Sequence, residues 1–377
     1  MKLSCLQENL AKGLSVVGRA VSTRSTLPVL ANVLLATDNG RLKLSATNLE
    51  IVITCWVGAK VENEGAITIP ARTLTDLVNS LPSERVDLAL NKTTQTVHLA
   101  CARTEANIKG IDHQEFPLVP EANGQDRITV AAPLLKEMIQ QVSFAAATDD
   151  ARPVLTGVQT KFEGNKVTMA ATDGFRLSVR TGELVNHVER AMSVVIPARA
   201  LNEVARVMND NLEEVHISMP GGRNQIIFDM ESVVLVSQLV DGNFPDYSPV
   251  IPGRYLTRTV LSTAEFRKAC KTADIFAREA SNTARVRVEP GNEIMPGYAT
   301  ISATSTETGD NVAQIDASVN GDSIEINFNV RFMSDVLAVV DTPQVALETT
   351  ASNEPGVIKP VGKDGFTHII MPMQFGR

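Results

Sequence analysis

The chain has 377 residues, 44% of them hydrophobic, so it can bury two or three domain-sized cores and is not a disordered chain. Lysine and arginine total 35 against 43 aspartates and glutamates, a net charge of −8, which argues against gripping nucleic acid by bulk charge while leaving room for a local basic surface. No apolar run approaches the ~18 residues of a membrane helix, and the opening MKLSCLQENLAKG lacks the apolar core of a secretory signal, so the expected location is the cytoplasm.

In chain order, Leu10, Leu14 and Val17 fall on one face of a first helix. KLSATNLEI (43–51) and the alternating Ile51, Ile53, Cys55 and Val57 predict strands. ITIPARTLTDLVNSL (67–81) predicts a strand that runs into a helix with Leu74, Leu77, Val78 and Leu81 on one face. Strands follow at Val86-Leu88-Leu90 and Val97-Leu99-Cys101. FPLVPEANGQDR (116–127) reads as an extended linker, because proline continues neither a helix nor a central strand. Leu135, Met138, Ile139 and Val142 predict a third helix, with Asp149 and Asp150 in the polar loop after it. TMAATDGFRL (168–177) predicts a strand and a hairpin turn at Asp173-Gly174. VVIPARALNEVARVM (194–208) is again strand then helix, and Val215, Ile217 and Met219 mark another strand. After a second proline-bearing linker, FPDYSPVIPGRY (244–255), comes a helix with Phe266, Ala269, Cys270 and Ala273, opened by the capping box Ser262 and Glu265. TISATSTETG (300–309) is strand-like, INFNVRFMSDVLAVV (326–340) is strand then helix, and the apolar end THIIMPMQFGR predicts a final core strand bordering an apolar groove.

These elements repeat three times. Arg72, Arg199 and Arg331 occupy the same place in their segments, as do Thr47, Thr172 and Thr304 in theirs. Each copy is long enough to fold around its own core and carries two helices with many strands, an α+β unit. The predicted domains are residues 1–121, 127–252 and 256–377.

Signatures of chemistry are missing: the sequence has no GxxxxGK[ST], HExxH or GxSxG, and His98, His113, His187, His216 and His368 are scattered. Cys5, Cys55, Cys101 and Cys270 stand alone and read as buried thiols in a reducing compartment. No cofactor or metal is expected. The helices carry Lys12, Arg19, Arg72, Lys136, Arg199, Arg206, Arg267, Lys268, Lys271 and Arg331 among acidic neighbours. With aromatic residues at only 4%, any contact with nucleic acid should be to phosphate and not by base stacking. On these residues alone two other readings stay open. One is an enzyme on an acidic polymer using Asp149, Asp150 and Asp173; the other is a β-rich scaffold that binds only protein.

The order and spacing of MKL, RSTLPVLANVLL (24–35), IPAR (69–72), TDGFRL (172–177), LVDGNFPDY (239–247) and MPM (371–373), on a threefold repeat, resemble the bacterial sliding clamp family, the beta subunit of DNA polymerase III. The resemblance spans the whole chain. It implies a ring of two chains joined head to tail, with three similar domains per chain, helices lining the hole and sheets outside. It implies a processivity factor with no catalysis of its own, a tether that raises the polymerase's effective concentration on duplex DNA. Implied partners are double-stranded DNA without sequence preference, a second copy of the chain, the polymerase alpha subunit, a clamp loader, and translesion polymerases, mismatch repair proteins and ligase through short peptide motifs; no membrane is implied. Carried over position by position, the peptide pocket is Leu155, Thr172, Gly174, Phe175, Arg176, Leu177, Pro245, Val250, Ile370, Met371, Pro372 and Met373. The DNA-contacting residues are Arg24, Arg72 and Arg199, and the dimer interface holds Ile108, Ile275 and Phe276. Three departures bear on motif preference: Phe175 stands where the best-known members carry histidine, Pro249 where a basic residue is frequent, and the chain runs on through Gln374, Phe375, Gly376 and Arg377. Without a histidine at 175, peptide binding should be insensitive to pH between about 5 and 8.

Overall fold

The computed structural model describes residues 1–22, 27–119, 127–149, 151–220 and 224–373, so Arg24, Asp150 and the tail from Gln374 to Arg377 lie outside the described residues. Six α-helices are present among them: α1 Gln7–Val17, α2 Ala71–Ser80, α3 Ala132–Val142, α4 Ala198–Val207, α5 Thr263–Ala277 and α6 Val330–Val339. The faces expected from the sequence are the buried ones: Leu10, Leu14 and Val17 on α1; Leu74 and Val78 on α2; Met138 and Ile139 on α3; Leu201 and Val204 on α4; Phe266 and Cys270 on α5; Met333 and Leu337 on α6. The strand-to-helix joints start in different ways. Pro70 and Pro197 end strands directly before α2 and α4, where the absent N–H is not missed. In the third copy Asn329 takes that place, and its Oδ1 accepts from the backbone N–H groups of Arg331 at 3.0 Å and Phe332 at 3.4 Å. Ser262 caps α5 by accepting from Glu265 N.

Gly13 explains how tightly α1 lies on its sheet. A Cβ there would stand 2.7 Å from Val57 Cγ2 and 2.8 Å from Leu44 Cδ1, so the helix keeps a residue that costs about 1 kcal/mol in propensity. The Cys55 thiol donates to Gly13 O at 3.6 Å. All four cysteines are buried and free, and burial pushes the Cys5 and Cys55 thiols up to about 12.

The described chain forms two compact units, Met1–Pro133 with Glu203–Leu239, and Leu134–Asn202 with the residues from Val240 onward. Each contains one antiparallel sheet, of 12 strands in the first unit and 10 in the second. The strands of the central repeat are divided between the two. Strand Val233–Gln238 pairs with Ile51–Asn63, so that Leu235 stands opposite Ile53. Strand Arg176–Pro197 pairs with the terminal strand Phe366–Ile370, so that Leu177 stands opposite Ile369. The terminal strand, expected in the third-repeat sheet, also pairs with Gly356–Pro360 and is held on both sides. In the second unit, Phe266, Phe328, Met333, Leu337, Phe366 and Ile370 belong to one core between α5, α6 and the sheet. The segment expected to be a plain linker at 244–255 contains a 3-10 turn, Ser248–Val250. Among the described residues no helix is long and apolar enough to cross a membrane.

Candidate functional site

The site is a groove of about 260 Å³ in the second unit. Its rim begins at the hairpin joining strands Gly157–Thr172 and Arg176–Pro197. Asp173 Oδ1 accepts from the N–H groups of Phe175 at 2.9 Å and Arg176 at 3.1 Å. Thr172 Oγ1 accepts from Gly174 N at 3.0 Å and donates to Arg176 O at 2.6 Å. Gly174 sits at φ +95°, open to glycine and strained for other residues, and a Cβ there would meet Arg152 Nη1 at 3.0 Å. Arg152 Nη2 donates to Asp173 O at 2.9 Å, which fixes this cation at the groove's edge.

Two small apolar clusters meet beneath. One contains Ala170, Leu177, Val357 and Ile369; the other contains Ala147, Leu155, Val195 and Phe244. Tyr247 packs against both, meets Phe244 edge to face at 6.3 Å, and has Lys161 Nζ 5.5 Å from its ring centre. Burial, aided by the nearby Asp246 charge, raises the Tyr247 phenol above its usual range. Asp246 accepts from Ser248 N at 3.0 Å, which holds its carboxyl below the usual range. The lining is thus mainly apolar, with Arg152, Thr172 and Asp246 as polar points.

Arg176 lines the groove but spends its charge elsewhere. Nε donates to Asp173 at 3.0 Å, Nη2 to Phe144 O at 2.8 Å, and Nη1 pairs with Asp335 on α6. Its guanidinium also lies 4.4 Å from the Phe332 ring centre and 5.4 Å from that of Phe144. This cation is a strut between the hairpin and α6 and is not presented to a ligand.

Of the residues assigned to the pocket, Leu155, Thr172, Gly174, Arg176, Leu177, Pro245, Val250 and Met371 line the groove. Phe175 does not: it projects at the turn with 62% of its surface exposed. Ile370 faces the opposite way into the core and Ile369 takes the groove position, because side chains alternate along a strand. Pro372 and Met373 are half-buried beyond the strand and outside the lining, with Met373 N donating to Asn327 O at 2.8 Å. Sequence reasoning missed Arg152, Asp246, Tyr247 and Ile369. The run FPDY carried a signal for two of them, an aromatic beside an acid in a linker; Arg152 carried none.

The other assigned residues lie apart. Arg72 and Arg199 are exposed, each the second residue of its helix, and Arg72 faces Asp76 at 3.7 Å. Ile108 is buried in strand Thr104–Lys109, an edge of the 12-stranded sheet. Ile275 is 58% exposed on α5, and Phe276 packs partly against the core. Asp149 Oδ1 accepts from Ala151 N at 3.1 Å, the turn its residue type favours. Among the described residues no three His, Cys, Asp or Glu side chains are grouped as a metal would require.

Three families described as the N-terminal, central and C-terminal domains of the DNA polymerase III beta subunit match residues 1–120, 129–246 and 248–374. The beta sliding clamp of Staphylococcus aureus is 32% identical over 365 residues, covering 94% of each chain, and that of Staphylococcus epidermidis is 31% identical over the same span. Among solved structures, the DNA polymerase sliding clamp from Bacillus subtilis aligns over 100% of both chains with a TM-score of 0.93 and 28% identity. The DNA polymerase III subunit beta from Pseudomonas aeruginosa bound to griselimycin aligns as fully, with a TM-score of 0.92 and 29% identity. The fold and these matches over the full length agree: the chain belongs to the beta sliding clamp family, the processivity factor and non-catalytic beta subunit of DNA polymerase III.

Proposed function

We propose that two copies of this chain close head to tail into a ring around duplex DNA, and that the groove holds short apolar peptide segments of the polymerase alpha subunit, the clamp loader, translesion polymerases, mismatch repair proteins and ligase. The groove carries this reading. It is mainly apolar, has few polar points, and is bounded by a turn locked through Asp173 and Thr172. Such a site suits one or two large apolar anchors, each worth about 1.5–3 kcal/mol when buried.

Encirclement draws support from the helices. Arg72, Arg199 and Arg331 each stand in a helix's first turn, where a cation is disfavoured by about 0.3–1 kcal/mol. A cost repeated three times serves something other than helix stability, and phosphate contact fits it. Arg72 and Arg199, with Arg24 outside the described residues, are the proposed phosphate contacts; Arg331 also pairs with Asp274 at 3.3 Å. Closure draws support from strand Thr104–Lys109, which among the described residues pairs on one side only and offers an edge to a second chain. We place the domain borders at 121/127 and 252/256, at the proline-bearing segments.

The test is calorimetry on the dimer with a short peptide containing adjacent leucine and phenylalanine. Replacing Tyr247 and Met371 together by alanine should weaken binding at least tenfold. Unchanged affinity in that variant places the peptide elsewhere.

A further inference from the structure

The groove depends on which of two adjacent isoleucines faces it, and the isoleucines themselves do not decide that. The strand reads Phe366-Thr367-His368-Ile369-Ile370, followed by Met371. A slip of one residue against strand Arg176–Pro197 would turn Ile370 to the groove and Ile369 to the core, and would also turn Phe366 out of the core and Thr367 toward it. Phe366 therefore favours the observed register, and a buried polar pair beside it adds to that preference.

His368 and Ser178 stand directly opposite each other, and both are fully buried. His368 Nδ1 and Ser178 Oγ are 2.6 Å apart. Backbone bonds flank this pair at Met371 N to Phe175 O and Thr181 N to Gly365 O. Opposed residues alternate between bonded and non-bonded pairs, so Ser178 and His368 form a non-bonded pair, where side chains approach most closely. The imidazole also lies 5.3 Å from the Phe144 ring, and its Nε2 has no hydrogen-bond partner among the described residues. After a one-residue slip His368 would turn to the opposite face with Ile370, and the buried Ser178 Oγ would lose its partner, the situation that buried polar groups avoid. A single buried polar contact fixes register in coiled coils in the same way.

We propose that the buried Ser178–His368 hydrogen bond, together with Phe366, keys the register of the terminal strand, and that Ser178 and His368 act as positioning residues for the groove by turning Ile369 and Met371 toward it and Ile370 away. Neither side chain lines the groove. Their effect on a ligand is exerted through Ile369 and Met371.

The proposal rests on the peptide reading of the groove for one of its two readouts. The informative variant is Ser178→Ala/His368→Leu, which removes both polar groups and leaves neither unpaired, so that the fold survives while the key is gone. His368→Asn, which keeps a polar atom near the place of Nδ1, is the conservative comparison. The first readout is the crystal structure of each dimeric variant, which shows whether residue 369 or 370 faces the groove. The second is calorimetry with the leucine- and phenylalanine-containing peptide. The double variant is expected to show a slipped or mixed terminal strand and at least tenfold weaker binding with its melting temperature nearly kept; His368→Asn is expected to keep the register and bind within threefold of the parent. A double variant with the parent's single register overturns the proposal, whatever the peptide does. If the parent dimer binds no peptide, the peptide reading fails and the crystal structures still decide the register. If the double variant does not fold, His368→Leu compared with His368→Asn carries the same two readouts.

Discussion

His368 is fully buried, and that burial, helped by the positive charge of Arg176, lowers its pKa from 6.5 to about 3. The folded protein therefore holds a neutral imidazole, while the unfolded chain takes up a proton as pH falls below about 6.5. A group whose proton is bound more readily by the unfolded state contributes stability in full above the unfolded pKa, and loses it as pH falls toward the folded value. Each pH unit inside that window costs about 1.4 kcal/mol. The expected outcome is that His368→Asn melts with a shallower dependence on pH between 6.5 and 4 than the parent, measured by scanning calorimetry at matched ionic strength; parallel curves would assign the acid sensitivity to other groups. Arg176 makes a second case. Its guanidinium holds Asp173, Asp335 and Phe144 O while stacked between two phenylalanine rings. Arg176→Lys keeps the charge and loses the fork, so it should lower stability by about 2 kcal/mol, close to the effect of Arg176→Ala. A lysine variant as stable as the parent would show that charge alone suffices there.

Helices were the most legible elements, because spacings such as Leu135, Met138, Ile139 and Val142 repeat a helical face several times within a short window. The hairpin at Asp173-Gly174 was legible for a local reason too: a glycine at positive φ and an aspartate that bonds its own following amides announce a turn. The groove was readable where it followed from TDGFRL; at the adjacent Ile369 and Ile370 only the parity with Phe366, a core residue, tells which one faces it. Tyr247 and Arg152 were missed because a single residue in a loop has no period to reveal it. Sharing of the central strands was also unreadable, because strand pairing joins residues as far apart as Ile53 and Leu235. At this scale the prediction concerns the helix starts. Arg72→Ala/Arg199→Ala should shorten the lifetime of the protein on circular DNA and make the salt dependence shallower, by about one unit of slope for each phosphate that an arginine had neutralised. Exposed as these residues are, the melting temperature should barely move. Identical lifetimes and salt slopes would remove these two arginines from the DNA path.

For the whole molecule, a net charge of −8 is compatible with the proposed encirclement of DNA when retention is topological, because contacts that must slide cannot each be strong. Retention then requires closure, and closure can be tested at a side chain the fold does not need. Ile275 is 58% exposed on α5. Ile275→Asp should leave stability within about 0.5 kcal/mol and shift sedimentation from a dimer to a single chain of 40.6 kDa. A persistent dimer would move the interface away from this helix.

The division of the central repeat between two sheets separates the unit of repetition from the unit of cooperativity. A pattern of about this length recurs three times in the sequence, yet the middle copy cannot be cut out as a module. Excision would strip Val233–Gln238 from Ile51–Asn63 and Arg176–Pro197 from Phe366–Ile370, leaving two ladders of unpaired backbone groups facing water. A central fragment made alone should therefore aggregate or recruit foreign strands, although its sequence alone suggests a self-sufficient piece. What the sequence repeats as three similar parts, strand pairing has made indivisible.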